Sequence, residues 1–344
     1  MFGRSSKIRV EVFAKTDLGR TRDHNEDRFL VADLTRRDAS LKPDVRKQEI
    51  GPRGALFVVA DGMGGAAAGE LASEMATDTI YAHLVKTWNA EDDLTPQRFA
   101  YRLKEAVEVA NASIHAHAKA HPEVRGMGTT TTAAGVLNDH LYLTQVGDSR
   151  AYLVRGGEAH QLTKDQSLMQ RLVEAGELTE EEAAKSERRN IILQALGPDP
   201  KVKVDLTHQE VRRGDVLVLC SDGLSGQVKK EEIAKIVTSA PDLTAACDQL
   251  IALANERGGP DNITVVIARF DGDGLQYSGS GQAEDVGHQV YPLIDTETST
   301  EPVPIYKGSR TPVPNREARN HRARTILLIA LAVLAALAWY FTRE

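Results

Sequence analysis

The chain has 344 residues, 41% of them hydrophobic and 26% charged, which is enough apolar material for one large core or two ordinary ones. A net charge of −7 argues against a broad nucleic-acid surface, so no nucleic-acid partner is expected. Two cysteines, Cys220 and Cys247, exclude a disulfide framework and fit a reducing compartment, and MFGRSSKIRVEV at the start has no apolar signal-peptide core.

Residues 8–18 alternate well enough for a strand, residues 20–27 are a polar loop, and 29–32 form a second strand. Residues 35–54, polar and broken by Pro and Gly, read as loop, and 56–60 as a third strand. Residues 66–88 are helical, with Leu71, Met75, Ile80 and Leu84 on one face. Thr95-Pro96 is an N-cap followed by a first-turn proline, and Phe99, Leu103, Val107, Ala110 and Ile114 carry that helix to His121. His115 and His117 are two apart and share no face, so solvated helix surface is their reading. From Gly126 short β-type runs alternate with two-residue turns, Asn138-Asp139, Gly147-Asp148 and Gly156-Gly157, which make antiparallel hairpins. Residues 163–190 are a polar, partly helical excursion, a candidate flap over a site. Strands follow at 202–206 and 216–220, helices at 230–237 and 243–255, and a last strand at 263–270. The folded domain is therefore expected at 8–270. Residues 271–324, rich in Gly, Ser, Thr and Pro, are expected to be a disordered linker.

The stretch from Ala55 to Gly65, ALFVVADGMGG, organises the rest. An apolar run ends in Asp61, and Gly62, Gly64 and Gly65 then strip side chains from a turn. One reading is an acid that binds a hard cation. The other is a glycine cradle for a dinucleotide phosphate, because Gly62 to Ala67 matches Gly-x-Gly-x-x-Ala. Against the cradle, Asp61 is a poor neighbour for pyrophosphate, no strand ending in an acid follows about twenty residues on, and the later hairpins do not alternate with helices.

For the cation, the placement of the other acids matters. Asp27, Asp61, Asp148, Asp222 and Asp261 all stand at strand ends. A lone strand-end Asp is usually a turn former. Five whose ends converge would repel by several kcal/mol, on the order given by Coulomb's law at low dielectric, unless neutralised. An all-oxygen set without Cys or clustered His selects Mg²⁺ or Mn²⁺. Two such ions suit hydrolysis of a phosphate ester: one lowers the pKa of a water, and the pair stabilises attacking and leaving oxygens. Arg22, with His24, Glu26 and Asp27 close behind, supplies a bidentate donor for the phosphate.

The stretches DLGRTRDHNEDRF, FVVADGMGGAAAGE, GMGTTTTA, QVGDSRAYL, LTKDQS, LCSDGL and GGPDNITVV, in this order over residues 17–267, resemble the bacterial form of the type 2C metal-dependent Ser/Thr protein phosphatases. The resemblance implies an α+β fold, a four-layer α-β-β-α sandwich of two antiparallel sheets flanked by helices, with metals at one end. It implies that Asp61 bridges two Mn²⁺ or Mg²⁺ ions and that the Gly62 carbonyl joins one. It implies further that Asp222 and Asp261 complete the other and that Glu26 and Asp27 hold waters on the ions. Arg22 would bind the substrate phosphate. A third ion would use Asp148 and Asp222, with Asn190 facing it, and Asn262 would support Asp261. Two positions depart from the family pattern. Met63-Gly64 stands where eukaryotic members carry a His proposed as general acid, so the leaving alkoxide would take its proton from a water on an ion or, second, from His24. Asp165-Gln166-Ser167 stands where bacterial members usually read Asp-His-Ser, so the contact made by that His is not expected to carry over.

The C-terminal run ILLIALAVLAALAWYF, residues 326–341, has no charge, with Arg316, Arg319, Arg322 and Arg324 before it and Trp339 and Tyr340 at its far end. With its flanking threonines it is long enough to span a bilayer, and the arginines place the domain on the cytoplasmic side. Residues 325–342 are thus expected to be a transmembrane tail anchor; a buried core helix is the competing assignment. The functional expectation is hydrolysis of phosphoserine and phosphothreonine in proteins, reversing a partner Ser/Thr kinase at a bacterial inner membrane. The alternatives are a membrane-anchored phosphoprotein-binding scaffold and a hydrolase of another phosphoester such as a nucleotide.

Overall fold

The computed structural model describes residues 7–277 and 286–293. Strands β1 (Arg9–Asp17), β2 (Asp27–Asp33), β3 (Asp38–Ser40), β4 (Arg46–Glu49) and β5 (Ala55–Met63) come first, followed by helices α1 (Ala66–Thr87) and α2 (Pro96–Ala120). Next are β6 (Gly128–Thr129), β7 (Thr131–Leu137), β8 (His140–Val146), β9 (Arg150–Arg155) and β10 (Glu158–Gln161). The flap holds the short helices α3 (Leu168–Glu174) and α4 (Glu180–Lys185), the second closed by a Thr179/Glu182 capping box. Then come β11 (Asp205–Glu210), β12 (Val216–Cys220), α5 (Asp222–Ser225), α6 (Lys230–Ser239), α7 (Leu243–Glu256) and β13 (Ile263–Asp271).

Two sheets form, ordered β10-β9-β12-β13-β1-β4 and β11-β8-β7-β5-β2-β3, with β6 paired to β5. Every strand pair within them is antiparallel, which excludes the dinucleotide fold weighed above. Strand periodicity sorts the side chains into layers. On β5, Ala55, Phe57 and Val59 face the other sheet, while Leu56, Val58 and Ala60 face α1 and α2. On β13, Val266, Ala268 and Phe270 face inward, while Ile263, Val265 and Ile267 meet α5, α6 and α7. A strand buried on both faces reads as a continuous apolar run, which is why both were legible. The result is the expected α-β-β-α sandwich. The two cysteines are buried and unpaired.

The structure departs from the sequence reading in several places. The strand expected at 202–206 is β11 at Asp205–Glu210, whose DLTHQE has a single large apolar residue. Within 35–54, read as loop, β3 and β4 pair at sheet edges. Pairing also continues past the expected boundary at 270. Arg213 bridges Tyr277, and residues 286–293 lie along β11: the His208 amide donates to the Gln289 carbonyl (2.9 Å) and the Tyr291 amide to the Leu206 carbonyl (3.0 Å). Tyr291 stacks edge-on against Tyr142 at 5.2 Å and, with Leu293, packs on the core beneath α1 and α2. The tail expected at 325–342 lies outside the described residues. Among those described, no helix is long and apolar enough to cross a membrane.

Candidate active site

The acids gather because two strand pairs and two loops end at the same edge of the sandwich. Asp27 and Asp61 are direct partners across the β2–β5 ladder. The Asp61 backbone is tied on both sides: its carbonyl accepts from the Thr130 amide (2.8 Å) and the Thr129 hydroxyl (2.9 Å), and its amide donates to the Thr130 hydroxyl (3.2 Å). Gly62 continues the strand at a point where nothing larger fits. A Cβ there would stand 2.2 Å from the Gly69 carbonyl oxygen and 2.7 Å from that of Glu26. A Cβ on Gly69 would in turn stand 1.9 Å from Glu26 Oε2, so the first turn of α1 is shaped around the Glu26 carboxylate. Gly64 and Gly65, at φ +114° and +90°, make the strand-to-helix turn.

Asp222 opens α5 immediately after β12, with Ser221 as the residue before the helix. The Ser221 hydroxyl donates to Asp27 Oδ2 (2.7 Å) and accepts from the Thr264 amide (3.0 Å), so it joins β12, β13 and the acid pair. Asp261 precedes β13. Its Oδ1 accepts from the Asn262 amide (2.9 Å) and its Oδ2 from Arg22 Nη2 (2.7 Å). Asn262 is a buried knot: its carbonyl oxygen accepts from the Glu26 amide (2.8 Å), and its amide group donates to the Leu18 (2.9 Å) and His24 (3.0 Å) carbonyls. Asp148 follows β8 in a loop clamped from several sides. Gly147 takes φ +99°, its amide donates to Gln166 Oε1 (3.0 Å), and its carbonyl accepts from the Gln166 amide (2.8 Å).

The electrostatics follow from this crowding. Burial first, then the charges of Asp222 and Asp261, push the Asp27 carboxyl up to about 7. Burial and the charge of Asp222 push Asp148 up to about 8, and burial with Asp261 pushes Asp222 up to about 6. Asp61 is raised well above the usual range by burial and by Asp27, Asp222, Asp148 and Asp261 together. Two like charges about 4 Å apart repel by about 4 kcal/mol at an effective dielectric of about 20. Four such groups therefore cannot all ionise near neutrality without a compensating cation. Asp27 Oδ1 and Asp222 Oδ1 are buried and have no hydrogen-bond partner among the described residues. Unpartnered carboxylate oxygens in an all-oxygen setting fit a hard divalent ion. No three acids, histidines or cysteines among the described residues already converge on one point, so closing on an ion takes side-chain rotation. The fit is one of donor chemistry and burial.

The structure thus brings Glu26, Asp27, Asp61, Asp222 and Asp261 to one rim, with Asp148 close enough that its charge and those of Asp61 and Asp222 repel. Arg22 is on the same rim, half-exposed and paired to Asp261. His24 is exposed beside Glu26, and its charge lowers that carboxyl against the larger effect of burial. Asn190 is exposed on the flap. The sequence reading missed Ser221, Thr129, Thr130, Gly69 and the contacts of Gln166. Four of these lie inside the quoted stretches LCSDGL, GMGTTTTA and FVVADGMGGAAAGE, which was the available signal.

A family model described as protein phosphatase 2C matches residues 31–262. The serine/threonine protein phosphatase PstP of Mycobacterium tuberculosis is 42% identical over 213 residues; the match spans 62% of this chain but only 40% of that relative's length. The serine/threonine phosphatase stp of Listeria monocytogenes serovar 1/2a is 37% identical over 258 residues, 75% of this chain and 94% of the relative. The solved catalytic domain of PstP in complex with two manganese ions superposes with a TM-score of 0.62 at 37% identity, covering 77% of this chain and 99% of that one. The model match alone takes in most of the chain, including Asp61, Asp148, Asp222 and Asp261: the chain belongs to the protein phosphatase 2C family.

Proposed function

We propose that the chain hydrolyses phosphoserine and phosphothreonine in proteins with divalent ions, Mn²⁺ or Mg²⁺, held at the acid rim, and that it reverses a partner Ser/Thr kinase. The observation that carries this reading is the set of buried, mutually repelling carboxylates with unpartnered oxygens on Asp27 and Asp222. Asp61, Asp222, Asp261 and the Gly62 carbonyl would hold two ions, with Glu26 and Asp27 behind them and Asp148 with Asp222 serving a third. The ions would supply an activated water and neutralise charge on the phosphoryl oxygens.

The chain's own residues do the rest. Arg22 stands at the rim with a planar donor fork, so swinging from Asp261 onto a phosphoryl group orients it bidentately. Thr129 and Thr130 hold the Asp61 backbone, and Ser221 holds Asp27 Oδ2, so that the remaining oxygens keep their direction. A half-exposed Arg22 beside a partly exposed Asp261 suits a phosphorylated side chain presented by a protein. Residues 325–342 would anchor this domain to the cytoplasmic face of a bacterial membrane. The uninterrupted apolar run after an arginine cluster supports that placement. Deleting 325–344 is expected to give active chain that no longer sediments with membranes, whereas misfolding of the deleted chain would contradict the anchor.

The test of the activity is hydrolysis of a phosphothreonine peptide by Asp61→Asn and Asp222→Asn, each expected to lose it. Retained activity in both folded variants would refute the reading.

A further inference from the structure

Gln166 occupies the position at which the family pattern has a His, and its side chain has no role in the reaction described above. Its contacts give it one. Oε1 accepts from the Gly147 amide (3.0 Å), one residue before Asp148. Nε2 donates to Asp205 Oδ2 (3.0 Å) and reaches the Lys203 carbonyl (3.3 Å). Asp205 is the first residue of β11, so a single amide side chain ties the Asp148 loop to the start of that strand. The Gly147 loop cannot hold itself in place by packing alone. Its φ of +99° is a glycine conformation, and a Cβ there would stand 2.6 Å from Thr130, so the backbone is threaded against the residue that joins β6 to β7 with no side chain of its own. Gln145 Nε2 donates to the Gly147 (3.0 Å) and Ser149 (2.7 Å) carbonyls, and the same two carbonyls also accept from the Gln166 amide (2.8 Å) and the Thr132 hydroxyl (2.9 Å).

The far end of this chain of contacts is residues 286–293. Their Tyr291 amide bonds to the Leu206 carbonyl, adjacent to Asp205, and Gln289 accepts from His208. His288, Val290, Tyr291 and Leu293 line a cavity of about 570 Å³ together with Gln166 and Asp205. β11 would otherwise be an exposed sheet edge beyond β8.

We propose that Gln166 and Asp205 are positioning residues for the Asp148 loop and that residues 286–293, far beyond the acid rim in sequence, brace them. The amide is the group that meets both demands. It offers an acceptor to Gly147 and a donor to Asp205, which a carboxylate cannot do. The consequence for ion binding rests on the metal-dependent reading above; the consequence for the order of the loop does not.

The experiment uses the full chain with two readouts: amide exchange at Gly147 and Asp148 with chelator present, and calorimetric titration with Mn²⁺. Gln166→Ala is expected to speed exchange at Gly147 about tenfold, the size of one lost hydrogen bond, and to weaken the ion nearest Asp148 roughly tenfold while sparing the tighter ions. Gln166→Glu keeps the acceptor but sets a carboxylate against Asp205, and it is expected to behave as badly. Adding Asp205→Asn, which restores a donor between the two, is expected to return both readouts to within about threefold of the unaltered chain. A bystander role would not produce that rescue. Tyr291→Ala is expected to shift exchange at Gly147 in the same direction by about threefold. Unchanged Gly147 exchange in Gln166→Ala, or no rescue in the double variant, would overturn the positioning role, and no effect of Tyr291→Ala would overturn the bracing. If the unaltered chain binds no Mn²⁺, the metal reading fails while the exchange measurements still decide this inference.

Discussion

Gly62→Ala separates geometric from merely compositional importance in the glycine turn. The added methyl would stand 2.2 Å from the Gly69 carbonyl oxygen and 2.7 Å from that of Glu26, where ordinary contact begins at 3.4 Å. Strand β5 and the first turn of α1 must therefore part by about 1 Å, since both obstacles are backbone. The Gly62 amide bond to Glu26 (3.2 Å) stretches with them, and the Asp27–Asp61 pairing next to it loses register. Overpacking of this kind costs about 1–3 kcal/mol, which for a domain of this size is a fall in melting temperature of roughly 3–10 °C. Activity should fall further, by about 100-fold, because a shift of about 1 Å in positioning groups has that effect on rate. Gly65→Ala is the control. Its φ of +90° makes a side chain strained, but a Cβ there meets nothing within 4 Å. It should cost about 1–2 kcal/mol and leave phosphate release within about threefold. The assay is Mn²⁺-dependent hydrolysis of a chromogenic phosphate ester alongside thermal melts. Gly62→Ala within threefold of the unaltered chain, or equal losses in both variants, would refute the reasoning.

Ser221→Ala removes the donor to Asp27 Oδ2 and the acceptor for the Thr264 amide; it should destabilise the chain by about 1–3 kcal/mol in denaturant titrations, because it leaves buried groups unpaired. With chelator present, stability should fall as pH rises from about 4 to about 8. Asp222, Asp27 and Asp148 hold protons in the folded state to about 6, 7 and 8, whereas the unfolded chain releases them near 3.8, so the folded state binds more protons throughout that window. Thermal melts at pH 5 and pH 8 read this directly, and added Mn²⁺ should remove most of the difference. Arg22→Ala should lower kcat/KM for a phosphopeptide about 10–100-fold with little change in melting temperature, and Arg22→Lys should recover little of it, because an ammonium lacks the planar fork.

What the sequence made legible follows physical lines. The β5–turn–α1 unit and β13 were readable because strands buried on both faces are continuous apolar runs, and α2 because Thr95-Pro96 and its apolar period agree. The strand-end acids stood out for the same reason, since each interrupts or flanks such a run. β11 was misplaced by a few residues because DLTHQE pairs through its backbone with little apolar signal. Residues 286–293 were hidden in a polar stretch for the same reason: their attachment is two backbone hydrogen bonds and the burial of Tyr291 and Leu293. Ser221, Thr129, Thr130 and Gln166 act through partners far away in the chain, such as Asp27, 194 residues from Ser221. No local pattern carries that information.

The most direct test is phosphate release from a phosphothreonine peptide by the full chain, first with chelator and then with Mn²⁺ restored, beside a nucleoside triphosphate as competing substrate. The account predicts silence with chelator, activity that returns with Mn²⁺, and preference for the peptide. A folded chain that stays silent with both Mn²⁺ and Mg²⁺, or that turns over the peptide in chelator, would contradict it.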